Sequence, residues 1–177
     1  SSAASDVYKR QDMKIDFSGK KFIVFELTRI KQDRFLSNLV MSMIFTVIQK
    51  KLLSDRRKRG ILIFDEYAET AQMVDTATGS GIHSSVAFCY QKIRKENGAV
   101  YTIVQTPDQL PDDENTKNII GNTDMLFVLP TKEVIYRSII DKFKLTQAGQ
   151  IALMKSMRNN FSCSRPYSEC FMRMGEN

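Results

Sequence analysis

Short runs of consecutive apolar residues alternate along this chain with longer segments of helical periodicity. The apolar runs are Lys21–Leu27, Ile61–Phe64, Val100–Val104 and Met125–Leu129, and a closing strand is predicted at Cys170–Met174. The first four are apolar throughout rather than alternating with polar residues, which predicts strands buried on both faces. The pattern therefore predicts an α/β fold with a mostly parallel sheet and helices on both faces.

The segments between these runs predict helices. The longest begins after Asp33, a suitable N-cap residue, and extends to about Leu53. Its apolar side chains recur at helical spacing at Phe35, Leu36, Leu39, Val40, Ile44, Val47 and Ile48. A second helix is predicted at about 83–96 and is closed by Asn97–Gly98. A third, short helix ends at Gly121. Two more are predicted after the N-caps Thr131 and Thr146, and they end at about Phe143 and Arg158.

Polar residues follow each apolar run at the edge of the sheet where ligands bind in open α/β folds. They are Glu26 and Thr28, Asp65–Glu66, Gln105–Thr106 and Thr131. Successive residues of an extended chain point in opposite directions, so Asp65 and Glu66 are expected to perform different tasks.

Nucleoside triphosphate hydrolysis is the chemistry that suits this set. Asp65 suits a Mg²⁺ ion held through its water shell. Glu66 suits activation of the attacking water, and Gln105 suits recognition of the γ-phosphate. The alternative is a buried strand that ends in two solvated acids, with Gln105 as a surface amide.

Composition adds few constraints. The chain is 42% apolar and 26% charged, as in globular domains. Its net charge of +6 permits contact with nucleic acid or an anionic membrane, but solubility explains it equally well. Three cysteines without a CxxC motif argue against a disulfide framework or metal centre and favour a reducing cytoplasm. The apolar segment 35–48 is too short and too interrupted to cross a bilayer.

The remaining candidates favour simple explanations. His83 is the only histidine and has no acid or nucleophile at motif spacing, so catalysis by it is not expected. The basic segment "RRKR" at 56–59 is typical of a solvated loop rather than of a specific binding site. Residues 1–11, "SSAASDVYKRQ", match an in-frame translation of a sequencing-library adapter, so we treat them as non-native and begin the ATPase-like domain at Asp12.

Four segments occur together in an order that resembles a known family. They are "FIVFELTRI", "ILIFDEYAE", "IRKENGAVYTIVQTPDQL" and "IIGNTDMLFVLPTKEV". Their order and spacing resemble the TraG-type conjugation ATPases of conjugative transposons, which are similar to the cytoplasmic ATPases of type IV secretion systems. The resemblance covers residues 12–177. The "RKENG" and "NT" elements are more specific to the family than "DE", which many motor ATPases share.

The resemblance implies a RecA-like P-loop NTPase fold that uses ATP and Mg²⁺. In it "ILIFDE" would be the Walker B strand, Asp65 would coordinate Mg²⁺ through water, and Glu66 would activate the hydrolytic water. Gln105 would lie beside the phosphate-binding strand. Arg94 and Lys95 would lie near the nucleotide or a subunit interface, although a solvated helix end is an alternative for both.

The sequence departs from the family pattern in one respect. It contains no GxxxxGK[ST] motif, and "GSG" at Gly79–Gly81 lacks the following lysine. The Walker A segment is expected upstream of Asp12, and its strand would lie between those ending in Gln105 and Leu129. We therefore expect a partial RecA-like domain, residues 12–177, that does not bind or hydrolyse ATP appreciably by itself.

The family also implies partners and a location. It implies a homo-oligomer, hexamer-like, working with other apparatus proteins at the cytoplasmic face of the inner membrane to power transfer-apparatus assembly or substrate transport. Direct DNA contact stays open, as does a DNA-pumping coupling protein. The alternative is a non-catalytic ATPase-like module for protein or DNA binding.

Overall fold

The computed structural model describes residues 19–30, 32–52, 57, 59–73 and 81–175, which form an α/β fold. The helices are Arg34–Leu52 (α1), Tyr67–Thr70 (α2), Ile82–Lys92 (α3), Glu114–Gly121 (α4), Glu133–Lys142 (α5) and Ala148–Lys155 (α6). The strands are Gly60–Phe64 (β1), Gly98–Thr102 (β2), Met125–Val128 (β3), Asn159–Asn160 (β4), Tyr167–Ser168 (β5) and Phe171–Met174 (β6). Short 3₁₀ turns occupy Thr28–Ile30, Ile93–Glu96 and Pro107–Gln109.

β1 and β2 form a parallel pair, which is the part of the fold that positions the predicted site. Their register runs from Gly60 opposite Gly98 to Phe64 opposite Thr102. The ladder continues past both strands, because the Ile103 N–H donates to the Phe64 carbonyl over 2.9 Å. Both strands therefore end at the same edge of the sheet, as parallel strands joined by a helical crossover must.

β3 and β6 form a separate antiparallel pair, and β4 and β5 form a small antiparallel hairpin. Met125 lies opposite Met174 and Val128 lies opposite Phe171. Within the described residues, no strand pairing joins β2 to β3. The predicted closing strand is confirmed as β6. It runs antiparallel to β3, because the chain reverses direction in the β4–β5 hairpin before it reaches β3 again.

The long helix α1 begins where its cap predicts. Asp33 Oδ1 accepts a hydrogen bond from the Leu36 N–H at 2.9 Å, which satisfies one of the donors left free at a helix start. Ile44 and Ile48 are buried as predicted, but Phe35 remains 72% exposed. No helix in the ranges that the structure describes is both long and apolar enough to span a bilayer.

Two hydrophobic cores stabilise the chain. The first packs α1 and α3 against β1 and includes Phe45, Phe64, Tyr67 and Val86. The second packs α5 and α6 against β3 and β6 and includes Val128, Tyr136, Ile139, Leu145, Met154 and Phe171. The two cores share no residue, so the β1–β2 pair and the β3–β6 pair each have their own hydrophobic support.

One face of the β1–β2 pair is uncovered within the described residues. Ile61 is 64% exposed, Ile63 is 59% exposed and Ile103 is 50% exposed. The parallel register places these side chains on the same face, because side chains alternate along a strand. The prediction that these strands are buried on both faces is therefore wrong for the described part of the chain, where helices cover one face.

Other local predictions are also corrected. Residues 22–27 form no strand, and Phe22 is 83% exposed, since an apolar run becomes a strand only where a neighbouring edge pairs with it. Glu26 and Thr28 therefore do not follow a strand. The N-caps of α5 and α6 are Lys132 and Gln147 instead of Thr131 and Thr146. The 1–11 segment, residues 79 and 80 of "GSG" and residues 56 and 58 of "RRKR" lie outside the described ranges.

Gly98 provides a test of the β1–β2 contact. A Cβ at this position would lie 2.6 Å from Ile93 Cγ1 and 3.3 Å from the Gly60 carbonyl oxygen. Ile93 is buried, so its side chain cannot move into solvent. We expect G98A to lower the free energy of unfolding by about 1–3 kcal/mol, the usual cost of overpacking. Urea denaturation monitored by circular dichroism measures this.

The matched control is Gly149→Ala in α6, where a Cβ meets nothing within 4 Å. Alanine favours a helix over glycine by up to about 1 kcal/mol, so G149A should keep or raise the stability. Equal destabilisation by both substitutions would contradict a specific close approach at Gly98.

Candidate active site

The turn after β1 carries the two predicted acids and holds Glu66 in a strained backbone conformation. Glu66 adopts φ 49° and ψ 44°, the left-handed region, which costs a non-glycine residue on the order of 1–2 kcal/mol. Asp65 Oδ1 accepts the Glu66 N–H at 2.9 Å, and the Tyr67 N–H donates to the Ile103 carbonyl at 2.9 Å. Strain of this kind persists where surrounding contacts fix it, and it concentrates at functional sites.

Glu66 and Gln105 line the same cleft. The cleft, of about 80 Å³, is lined by Glu66, Ala68, Glu69, Val104, Gln105 and Gln109. Glu66 and Gln105 come from two different strand ends, and the parallel ladder brings them to one edge. The structure thus places together two of the residues selected from sequence, while their catalytic roles stay predictions.

Two further polar residues of this cleft, Glu69 and Gln109, were missed by the sequence analysis. Glu69 follows Glu66 by one turn of α2, and helical spacing of i and i+3 could have indicated it. Gln109 ends the turn Pro107–Gln109. The two prolines around this turn predicted only a loop, so its side-chain direction was not accessible from sequence.

Asp65 lies next to this cleft but is not among its lining residues. Its side chain is exposed and faces the Glu66 N–H. Mg²⁺ in phosphate-transfer sites is held by one or two carboxylates, waters and substrate phosphates, and an exposed strand-end carboxylate fits that donor set. Across the described residues, no three His, Cys, Asp or Glu side chains come together to hold a metal ion, so an all-protein metal cage is not formed there.

The cleft does not fit a whole nucleotide. Its volume of about 80 Å³ is well below the roughly 300–1,000 Å³ of ordinary ligand pockets. The sequence also provides no glycine-rich loop that ends in Lys-Ser or Lys-Thr. The described residues therefore supply strand-end acids and an amide, and no segment of the sequence has the GxxxxGK[ST] pattern of a phosphate cradle.

Arg94 and Lys95 lie away from this cleft. They belong to the turn Ile93–Glu96, which precedes β2, whereas Gln105 follows it. At a rise of about 3.3 Å per residue, the intervening strand separates the two ends by roughly 20 Å. Lys95 is exposed, and the side chain of Arg94 lies outside the described part of the structure. The structure does not bring this pair to Glu66.

A buried polar network lies behind the cleft. The Tyr67 Oη and His83 Nδ1 are 2.7 Å apart, and His83 Nε2 lies 2.9 Å from Thr116 Oγ1. His83 Nε2 also lies 3.2 Å from Asp113 Oδ1. No motif spacing in the sequence signals this network, because packing of α3 against α4 supplies the acid from a distant position. His83 therefore has a carboxylate partner after all.

Burial and hydrogen bonding shift several pKa values around this network. Burial raises the pKa of Tyr67 far above its usual range, with a smaller contribution from Tyr90. Burial also raises the pKa of the Cys89 thiol to about 11, so this thiol stays protonated and is not a nucleophile at neutral pH. Burial opposes ionisation of Asp113, but hydrogen bonds from Thr116 and the proximity of His83 lower its pKa overall.

Comparison with protein families decides the classification. A model of the TraG P-loop domain matches residues 6–177. The chain belongs to this family. The solved structure of VirB4 of Thermoanaerobacter pseudethanolicus is similar to it, with a TM-score of 0.57 and 18% sequence identity. No curated protein sequence matches this TraG P-loop chain significantly.

The VirB4 comparison supports the fold. It covers 83% of this chain and 40% of the VirB4 chain, so the TraG P-loop chain spans two fifths of the length of that protein. This likeness supports the RecA-like α/β class, and the match to the TraG P-loop domain confirms the resemblance to the TraG-type family. The family match starts within the 1–11 segment, and the division of the chain at Asp12 stays a prediction.

Asp113 gives the network a pH dependence. Its pKa is lowered in the folded state, so the unfolded chain takes up a proton first as the pH falls. The stabilisation is therefore complete above the ordinary aspartate pKa, about 3.9, and is lost as the pH falls through the lower, folded-state value. Asp113 caps α4 by accepting the Thr116 N–H, and asparagine caps equally well.

We therefore expect D113N to be less stable than the parent chain near neutral pH, and the difference to vanish in acid. Urea denaturation of both chains across this pH range measures the difference. A difference that is independent of pH would mean that the charge of Asp113 is not involved.

Proposed function

We propose that this chain is the part of a conjugation or type IV secretion ATPase that carries the hydrolytic residues. In the intact protein, ATP hydrolysis would drive assembly of the transfer apparatus or transport of its substrate. The observation that carries the proposal is the meeting of Glu66 and Gln105 in one cleft at the end of a parallel strand pair. Membership of the TraG P-loop family supports it.

Each strand-end residue has one task in this proposal. Mg²⁺ and ATP, when bound to the intact protein, supply the phosphoryl group and neutralise its charge. Asp65 holds the water shell of the ion, because its carboxylate is exposed beside the cleft. Glu66 orients and deprotonates the attacking water, and Gln105 donates a hydrogen bond at the γ-phosphate.

We also propose that the 177-residue chain neither binds nor hydrolyses ATP by itself. No glycine-rich phosphate loop occurs in its sequence, and phosphate binding depends on the backbone N–H groups of such a loop. The uncovered apolar side chains Ile61 and Ile63 agree with a sheet that further polypeptide covers. Exposed apolar patches of this kind mark interaction surfaces.

The proposal extends to partners and location. The intact ATPase acts as a homo-oligomer, hexamer-like, with other apparatus proteins at the cytoplasmic face of the inner membrane. Arg94 and Lys95 lie at the end of β2 opposite to the cleft. They then suit a subunit interface better than the nucleotide. Direct contact with DNA is a separate question, to be answered by binding measurements on the intact protein.

A non-catalytic binding module is the second candidate. Two observations favour a binding module: the sequence contains no phosphate loop, and the cleft is small. The two proposals differ in a simple way, because a binding module would not hydrolyse ATP even when a phosphate loop is present in the complete protein.

The first measurement is ATP turnover by the purified 177-residue chain. We expect no saturable phosphate release above buffer, and E66Q should give the same baseline. Saturable release by the parent chain that is lost in E66Q would show that this chain is a complete hydrolase, against our proposal.

The second measurement uses a longer protein in which these residues follow a GxxxxGK[ST] loop. There, E66Q should lower kcat by about 10²–10⁴-fold, the usual contribution of a general base, while nucleotide binding is retained. E69Q is the matched control, because Glu69 lines the same cleft one helical turn later, and it should lower kcat much less. Equal losses in the two variants would reject Glu66 as the base.

A further inference from the structure

The buried network joins the two sides of the cleft. Tyr67 directly follows Glu66 in sequence, whereas Asp113 and Thr116 begin α4 at the end of the loop that starts at Gln105. His83 lies between them and hydrogen-bonds to both sides. We propose that His83 is a positioning residue that fixes the turn carrying Glu66 relative to the loop that follows Gln105. Its catalytic consequence rests on the proposed function, but the coupling itself does not.

The hydrogen bonds determine which histidine nitrogen carries a proton. The Thr116 hydroxyl donates its hydrogen to the Pro111 carbonyl, so its oxygen accepts from His83 Nε2–H. The same nitrogen lies 3.2 Å from Asp113 Oδ1. His83 Nδ1 is then the acceptor for the Tyr67 hydroxyl, since this arrangement gives every donor of the network an acceptor.

Burial makes this network rigid. Tyr67 is fully buried, His83 is 3% exposed and Thr116 is 4% exposed. Fully satisfied polar networks in a low-dielectric interior fix one arrangement, because any displacement leaves a buried polar group without a partner.

The two segments that His83 joins are also tied to the sheet and the core. The Tyr67 N–H is held by the Ile103 carbonyl, and Pro107 and Leu110 of the loop are buried. A shift of the turn that carries Glu66 relative to the start of α4, where the loop after Gln105 ends, therefore requires the network to open.

The first test is side-chain NMR of His83. It is the only histidine of the chain, so its ring signals need no assignment by mutation. Long-range ¹H–¹⁵N spectra should show a protonated Nε2 and an unprotonated Nδ1 that accepts a hydrogen bond. A protonated Nδ1 with a free Nε2 would overturn the proposed hydrogen-bond order.

The second test is amide hydrogen exchange in Tyr67→Phe, which removes only the hydroxyl. Loss of one buried hydrogen bond should raise exchange roughly tenfold at residue 67 and at the loop amides between 105 and 113. Amides of β3 should not change, because β3 belongs to the other core. Unchanged exchange in both segments would reject the coupling.

Tyr136→Phe is the matched control. Tyr136 is also a buried tyrosine, and its Oη accepts the Thr131 N–H at 3.1 Å. Y136F removes a comparable hydrogen bond from the second core, so it should leave the His83 signals and the exchange of residues 105–113 unchanged. If Y136F has the same effect as Y67F, the coupling is a general loss of stability and the proposal fails.

The third test measures ATP turnover by the longer protein that contains the phosphate loop. Y67F should lower kcat roughly tenfold with little change in KM for ATP, whereas Y136F should change neither. Raised exchange with unchanged kcat would reject the positioning role and leave the proposed function intact. Absence of turnover in the parent protein, with the network intact by NMR, would reject the proposed function but not the coupling.

Discussion

The β1–β2 ladder is the interaction on which the rest of this structure depends. Its hydrogen bonds do not stop at the strand ends, since Ile103 pairs with Phe64 and Tyr67 pairs with Ile103. Between these two hydrogen bonds the chain turns after Phe64, and Glu66 takes a left-handed conformation there. Without this register, the acid and the amide would leave the sheet at different points.

The two cores differ in how they support this edge. The first core fills the space beneath β1 with α1 and α3 and buries Phe64 and Tyr67. The second core supports β3 and β6, and its helix α5 lies beside the turn Pro107–Gln109. The loop after Gln105 is thus held between the two cores, while the opposite face of β1 presents Ile61 and Ile63 to solvent.

The polar network adds a second level of order to the first core. A histidine, a tyrosine and a threonine are buried among apolar side chains, which is costly unless every hydrogen bond is made. Here each of the three side chains has a hydrogen-bond partner, so the cost of burying them is offset. Only an arrangement that keeps all of these hydrogen bonds is favourable. The strained Glu66 backbone and the satisfied network occur next to each other, and the rigid part holds the strained part in place.

Sequence alone determined the α/β class, most of the order of elements and the end of β1 at Asp65–Glu66, because apolar periodicity and chain polarity are local properties. It extended β2 to Val104, whereas the strand ends at Thr102. It failed at Lys21–Leu27, at the uncovered face of β1 and at the partners of His83. Those depend on which edges and helices meet in space. Only the tertiary structure decided that Glu66 and Gln105 share a cleft and that Asp113 reaches His83. The physical reason is that strand register and helix packing bring together residues whose separation along the chain carries no signal of their contact.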